Sequence, residues 1–190
     1  MDQERLIICN TSPLINLAEL DLLGIIEALP GQVCIPPGVR DEAMAKSGLF
    51  AKAASAADSG RFRILPPADG LLLRSFSATL HRGEAECLAV SMEHPGSILI
   101  LDDLAARAAA SANGLPFTGT LGLLAAAKAR GQIAELAPAL YKLRTLARFW
   151  ISSQLERELL QQGGLNAIDA GITKSSQAKE ENGIDRRTRS

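Results

Sequence analysis

The chain has 190 residues, which suits one domain of about 150 residues plus a tail. Its formal net charge of −1 supplies no overall positive field, so a nucleic-acid partner would need a local basic patch. No apolar run approaches the roughly 18 residues that cross a membrane, and no signal peptide is visible. The three cysteines are widely spaced, which favours reduced thiols in the cytoplasm.

Short apolar runs alternate with helical patterns along the chain. The apolar runs predict strands at 6–9, 33–35, 62–65, 98–101 and 115–118. The patterns between them predict helices that begin after Ser12, near 23 and near 38, and helices at 51–57, 71–80, 83–93, 104–112, 121–129, 134–146 and 151–162. This alternation predicts a three-layer α/β/α sandwich with a central parallel sheet of four or five strands.

The composition changes after Gly163-Gly164. Residues 1–163 are therefore predicted to form the domain. Residues 164–190 form a C-terminal tail, and because 174–190 is polar, charged and without aromatic residues, we expect this tail to be poorly ordered.

Polar residues follow two of the predicted strands. Asn10-Thr11-Ser12 comes directly after 6–9, and Asp102-Asp103 comes directly after 98–101. Ligands of parallel α/β sheets bind beyond the carboxyl ends of the strands, so these side chains are expected to meet at one edge. Helix capping is the ordinary alternative for Thr11, Ser12 and either aspartate.

Three glutamates at predicted helix starts extend this group to several carboxylates: Glu42, Glu84 and Glu86. Mg²⁺ and Mn²⁺ prefer oxygen ligands, and carboxylates that crowd together repel one another unless a cation is present. Glu84 and Glu86 flank the apolar face of their helix on opposite sides, so we expect only one of them to reach the edge. A solvated surface position is the alternative for each glutamate.

Four stretches, in this order and spacing, resemble the PIN-domain family of metal-dependent ribonucleases, near the toxins of VapBC-type toxin–antitoxin operons. They are Asn10-Thr11-Ser12-Pro13-Leu14-Ile15, His81-Arg82-Gly83-Glu84-Ala85-Glu86, 99–107 and 114–122. The resemblance covers roughly residues 6–163. It implies a parallel sheet flanked by helices and a cluster of three or four acids that binds Mg²⁺ or Mn²⁺.

The resemblance also implies roles for individual residues. It places Asn10 at the first acidic position, Glu42 at the second, Glu84 or Glu86 at the third, and Asp103 at the last, with Asp102 beside it. Of these, Glu42, Glu84 and Asp103 are the expected catalytic residues. Asparagine at position 10 brings an oxygen ligand but no charge.

The implied substrate is single-stranded RNA, which would contact the hydroxyls and basic side chains around the acids. The expected contacts are Thr11, Ser12, Arg82, Arg107, Thr118 and Thr120. A solvated helix face is the alternative for the arginines. The resemblance further implies an antitoxin partner, and the apolar faces at 14–29 make a homodimer conceivable.

Two other functions compete with a ribonuclease. A weakly active or inactive module of the same fold, which binds nucleic acid or a protein, is favoured by Asn10. A small-molecule enzyme on a doubly wound sheet is disfavoured, because no glycine-rich phosphate-binding motif follows a predicted strand.

Overall fold

The structure is a computed structural model that describes residues 5–146 and, beyond them, residues 149, 151 and 159. Apart from positions 151 and 159, the helix predicted at 151–162 lies outside the described residues. The predicted tail at 164–190 lies outside them as well.

A single sheet of five parallel strands forms the centre of the molecule. Its strands are β1 (Leu6–Cys9), β2 (Gln32–Ile35), β3 (Arg63–Ile64), β4 (Ile98–Ile100) and β5 (Phe117–Thr118). They are ordered β3-β2-β1-β4-β5, and β1 is in register with both neighbours, with Ile8 opposite Cys34 and Leu99. The predicted parallel sheet is confirmed, with β3 and β5 shorter than the apolar runs that predicted them.

Nine helices occur in the described part of the chain. They are α1 (Thr11–Glu19), α2 (Gly24–Glu27), α3 (Pro37–Ala45), α4 (Ala51–Asp58), α5 (Gly70–Ser77), α6 (Arg82–Glu93), α7 (Leu104–Ala112), α8 (Thr120–Ala129) and α9 (Leu136–Thr145). The start of α1 differs from the sequence prediction by two residues, and the end of α5 by three. Asn10, not Ser12, is the extended residue before α1, so the chain turns from strand to helix within one residue.

The helices lie on both sides of the sheet, which confirms the α/β/α sandwich. Helix α6 contacts β1 and β4 and packs against α3, α5 and α7, whereas α8 packs against α2 and α9. Helix α1 contacts helices of both groups. The residues with no exposed surface include Ile8 in β1, Leu99 in β4, Leu88 in α6 and Leu124 in α8, so one core extends through all the layers.

The chain reverses its direction of progress across the sheet between β1 and β4. The crossovers move outward from β1 to β2 and β3, and then return to the other side of β1 with β4 and β5. At such a switch point the loops that follow adjacent strands diverge and leave a crevice at the carboxyl edge. Asn10 follows β1 and Asp102 follows β4, so both border this crevice.

The apolar face at 14–29 belongs to the core. Leu14, Leu17 and Ile26 have no exposed surface, so these side chains are not available to a second copy of the chain. A homodimer therefore stays a prediction without this support. Within the described residues, no helix combines the length and the apolar character that crossing a membrane requires.

Candidate functional site

Asn10 supplies a buried oxygen at the crevice between β1 and β4. Its N–H donates to the Ile100 carbonyl at 3.1 Å, which fixes the backbone at this point. The residue is only 3% exposed, and its Oδ1 has no hydrogen-bond donor among the described residues. A buried carbonyl oxygen without a hydrogen-bond donor is energetically unfavourable. A bound group that interacts with this oxygen would remove that cost.

Gly83 leaves open the space into which Asn10 and Glu42 both point. A Cβ at this glycine would lie 3.5 Å from Asn10 Oδ1 and 3.5 Å from Glu42 Oε2. The two oxygens are therefore no farther apart than twice that distance. Helix α6 begins beside this space and brings Glu84 with it.

Glu42 has one hydrogen-bond donor on each of its carboxylate oxygens. Thr11 Oγ1 donates to its Oε2 at 2.7 Å, and Lys46 Nζ lies 2.6 Å from its Oε1. Burial by itself would raise the pKa of Glu42. The hydrogen bonds from Lys46 and Thr11, together with the positive charge of Lys46, outweigh burial and lower the pKa below its usual value.

Glu84 is the carboxylate with the least compensation. Its Oε2 accepts the N–H of His81 at 3.1 Å, across the first turn of α6. Burial raises its pKa, and the negative charges of Asp103 and Glu42 raise it further, while the hydrogen bond from His81 opposes both effects. Glu84 is thus close enough to Asp103 and to Glu42, which come from two other segments, for their negative charges to act on it.

Asp103 combines a structural role with a place at the edge. Its Oδ1 accepts the N–H groups of Ala105 and Ala106 at 2.8 and 2.9 Å, which makes it the N-cap of α7. One oxygen thus fixes the side chain, and the cap leaves the carboxylate exposed. Capping and a place in the acidic cluster coexist in this residue.

Asp102 points away from the solvent and ties three elements together. Its Oδ1 accepts the N–H of Thr120 at 2.8 Å, and its Oδ2 accepts Thr120 Oγ1 at 2.6 Å and Asn16 Nδ2 at 2.9 Å. Burial raises the pKa of Asp102, against these hydrogen bonds and the charge of Arg107. Since its oxygens already have donors, Asp102 anchors the first turn of α8 to β4 and α1.

Glu86 has a comparable anchoring role at α3. The residue is 4% exposed, its Oε2 accepts the N–H of Gly38 at 2.6 Å, and its Oε1 accepts Arg82 Nε at 2.8 Å. Arg82 also pairs with Asp41 at 2.9 Å. Glu86 thus holds the N-terminus of α3 against α6, and the same helix α3 carries Glu42.

The hydroxyls and arginines expected to contact RNA have different surroundings. Ser12 is exposed at the start of α1, and Arg107 lies over the Phe117 ring at 5.2 Å from its centroid. Thr120 has no exposed surface and bonds Asp102. Thr118 directs its hydroxyl towards Gly122 of α8, so it lies on the α8 side of the sheet.

The side-chain oxygens at this edge are of the type that a divalent cation such as Mg²⁺ prefers, but they are not arranged as a metal site. Within the described residues, no group of three or more aspartate, glutamate, histidine or cysteine side chains has the spacing of a metal site. The oxygen without a donor on Asn10 and the uncompensated charge on Glu84 are nevertheless features that a cation would satisfy.

The sequence matches a known protein family. A family model described as a PIN domain matches residues 6–164, which is most of the chain. The chain belongs to the PIN-domain family. PIN domains are generally nucleases, and they typically use divalent metals. No curated protein matches the chain.

Two residues of this PIN domain with clear roles in the site were not found from the sequence. Asn16 is a buried polar residue in the middle of α1 and carries no local signal of its bond to Asp102. Lys46 follows Glu42 by four residues. This spacing allows an ion pair on a helix, so the sequence could have indicated the pair.

We expect Asp102→Ala to destabilise this PIN domain by about 2–4 kcal/mol, because it leaves the buried polar groups of Asn16 and Thr120 without their acceptor. Urea unfolding followed by circular dichroism measures the loss. The matched control is Asp69→Ala, which removes an exposed N-cap of α5 and should cost about 1 kcal/mol. Equal losses in the two variants would contradict the anchoring role.

Glu84→Gln should raise the unfolding temperature at pH 7 in the presence of a chelator. The glutamine oxygen can still accept the His81 N–H, but the charge is gone. Because the folded-state pKa of Glu84 lies above its ordinary value of 4.5, its contribution to stability is complete below pH 4.5 and is lost as the pH rises through the folded pKa. The advantage of the variant should therefore disappear below about pH 4.

The control for this measurement is Glu135→Gln, at a side chain that is 72% exposed. It should change the unfolding temperature little at either pH. An unfolding temperature of Glu84→Gln that equals the wild-type value at pH 7 would show that the charge of Glu84 is already compensated.

Proposed function

We propose that this PIN domain is a metal-dependent endoribonuclease that cleaves single-stranded RNA, with Mg²⁺ or Mn²⁺ as its cofactor. The observation that carries the proposal is Asn10 Oδ1, a buried oxygen without a donor that faces the same opening as Glu42. An oxygen in this state favours a bound cation, and the three carboxylates supply the negative charge that a divalent ion requires.

The residues that would hold the metal are Asn10, Glu42, Glu84 and Asp103. When bound, the ion would supply the positive charge that lowers the pKa of a water molecule and stabilises charge on the phosphodiester. Thr11 orients Glu42 through its hydrogen bond, and the cap on α7 fixes Asp103. Asp102 and Glu86 would not bind the metal themselves, but would hold the helices that bring these ligands together.

RNA binding would use the groups at this edge that are still accessible. Arg107 is held over Phe117, so its guanidinium offers a positioned positive charge to a phosphate. Ser12 offers an exposed hydroxyl at the start of α1. We do not include Arg82, Thr118 or Thr120 in this contact surface, because their polar groups are engaged or directed elsewhere.

A second candidate function is a module of the same fold that binds nucleic acid or protein without cleaving. Asn10 favours it, because an amide ligand contributes no charge to the metal site. The ion pair between Lys46 and Glu42 favours it as well, because it neutralises one of the remaining acids. The resemblance to toxins supports an antitoxin as a partner and a cytoplasmic location, both as proposals.

The deciding experiment is cleavage of an end-labelled, unstructured RNA by the full chain with Mn²⁺, with Mg²⁺ and with a chelator. Cleavage should require the metal and fall roughly a hundredfold in Asp103→Asn and Glu84→Gln. The asparagine oxygen can still accept the two N–H groups that cap α7, so the loss would report on the site and not on the helix. Asp69→Asn, a cap of α5, is the matched control and should cleave like the wild type.

The other outcomes separate the two functions. Cleavage that is unchanged in Asp103→Asn and Glu84→Gln would contradict the assigned site. Absence of cleavage by every form, together with RNA binding that weakens in Arg107→Gln, would favour the binding module. Absence of both cleavage and RNA binding would contradict both nucleic-acid proposals.

A further inference from the structure

Lys46 stands out because it neutralises one member of the acidic cluster from within the chain. It is the residue at the C-terminal end of α3, one turn after Glu42, and its Nζ lies 2.6 Å from Glu42 Oε1. Thr11 already occupies the other oxygen of that carboxylate at 2.7 Å. Both oxygens of Glu42 are therefore engaged by donors of the chain itself.

Neither Glu84 nor Asp103 forms an ion pair with a lysine or arginine in the described part of the chain, and the charge of His81 lowers the pKa of Glu84. Among the described residues, Glu84 accepts only the N–H of His81, and Asp103 accepts only the N–H groups of α7. Asn10 Oδ1, the neighbour of Glu42 at the Gly83 opening, has no donor at all in the same part of the chain. Lys46 thus compensates one ligand and leaves the remainder of the site open to a cation.

We propose that Lys46 is a built-in counter-ion on Glu42 Oε1 whose ammonium group a divalent metal at the neighbouring Oε2 would displace by repulsion, and that it thereby lowers the metal affinity of this chain. The inference rests on the metal site of the proposed function and adds a residue that weakens binding there. Glu42 Oε2 faces the Gly83 opening and keeps lone pairs beside its bond from Thr11, whereas an ammonium group retained on Oε1 would repel a cation there.

The geometry allows this displacement at low cost. The side chains of Lys46 and Glu42 are each 41% exposed, so the lysine can turn its ammonium group into water on a flexible stem. Ion pairs with this much solvent contact are weak, which means that the lysine can withdraw when a divalent ion binds at the neighbouring oxygen. The competing explanation is that Lys46 serves only to stabilise the end of α3.

Mn²⁺ binding by the full chain, measured by titration calorimetry and by the electron paramagnetic resonance signal of free Mn²⁺, tests the proposal without RNA. Lys46→Met keeps the stem and removes the charge, and it should bind Mn²⁺ about threefold to tenfold more tightly than the wild type. Lys52→Met is the matched control, because Lys52 forms a similar ion pair with Asp21 at 2.8 Å on the surface. Its Mn²⁺ affinity should be unchanged.

The outcomes test the role of Lys46 and the existence of the metal site separately. Equal or weaker Mn²⁺ binding by Lys46→Met, with clear binding by the wild type, would overturn the role of Lys46 and leave the proposed metal site intact. Absence of Mn²⁺ binding by both forms would overturn the metal site and the role of Lys46 with it. Lys46→Gln, which keeps a polar side chain, should repeat the result, and circular dichroism in a chelator checks that both variants are folded.

Discussion

Repulsion between carboxylates at one edge of the sheet is the constraint on which the site depends. The topology places β1 between β2 and β4. Helix α3 after β2, the first turn of α6, and the N-cap of α7 after β4 carry Glu42, Glu84 and Asp103, respectively. Burial raises the pKa of Glu84, and the charges of Asp103 and Glu42 raise it further, which is the electrostatic cost of this arrangement. An arrangement with such a cost persists where the surrounding fold enforces it, and a cation is what would relieve it.

Two further carboxylates enforce this arrangement by anchoring helices to the rest of the fold. Asp102 holds the start of α8 to β4 and α1, and Glu86 holds the start of α3 to α6. In both cases a buried carboxylate meets the N–H groups at the beginning of a helix, where the helix dipole also favours negative charge. The acids of this edge therefore divide into two anchors, Asp102 and Glu86, which hold helices from distant parts of the chain, and the candidate ligands Glu42, Glu84 and Asp103.

Much of the architecture could be predicted from the sequence, and the division among the acids could not. Apolar runs such as 6–9 and 98–101 identify buried parallel strands, because each is short, continuous and followed by a helical pattern. The same reasoning located Asp102-Asp103 at the edge. Which aspartate faces the solvent depends on where α8 begins, and the bond from Thr120 N to Asp102 is a contact across 18 positions that no local pattern encodes.

The two glutamates of α6 show the same limit. The helical period predicts that Glu84 and Glu86 lie on opposite sides of the apolar face, but it does not say which side meets the crevice. That choice is made by α3, whose Gly38 N–H captures Glu86 and leaves Glu84 beside Asp103. Asn10 is the reverse case, since its type was evident from the sequence and its lack of a donor became evident only from its burial.

The most direct test of a cation site at this edge is anomalous diffraction from crystals soaked in Mn²⁺. If the site binds a cation, we expect an anomalous peak within about 2.5 Å of Asn10 Oδ1 and of at least two carboxylates among Glu42, Glu84 and Asp103. A peak elsewhere, or an edge that stays without one at millimolar Mn²⁺, would contradict it.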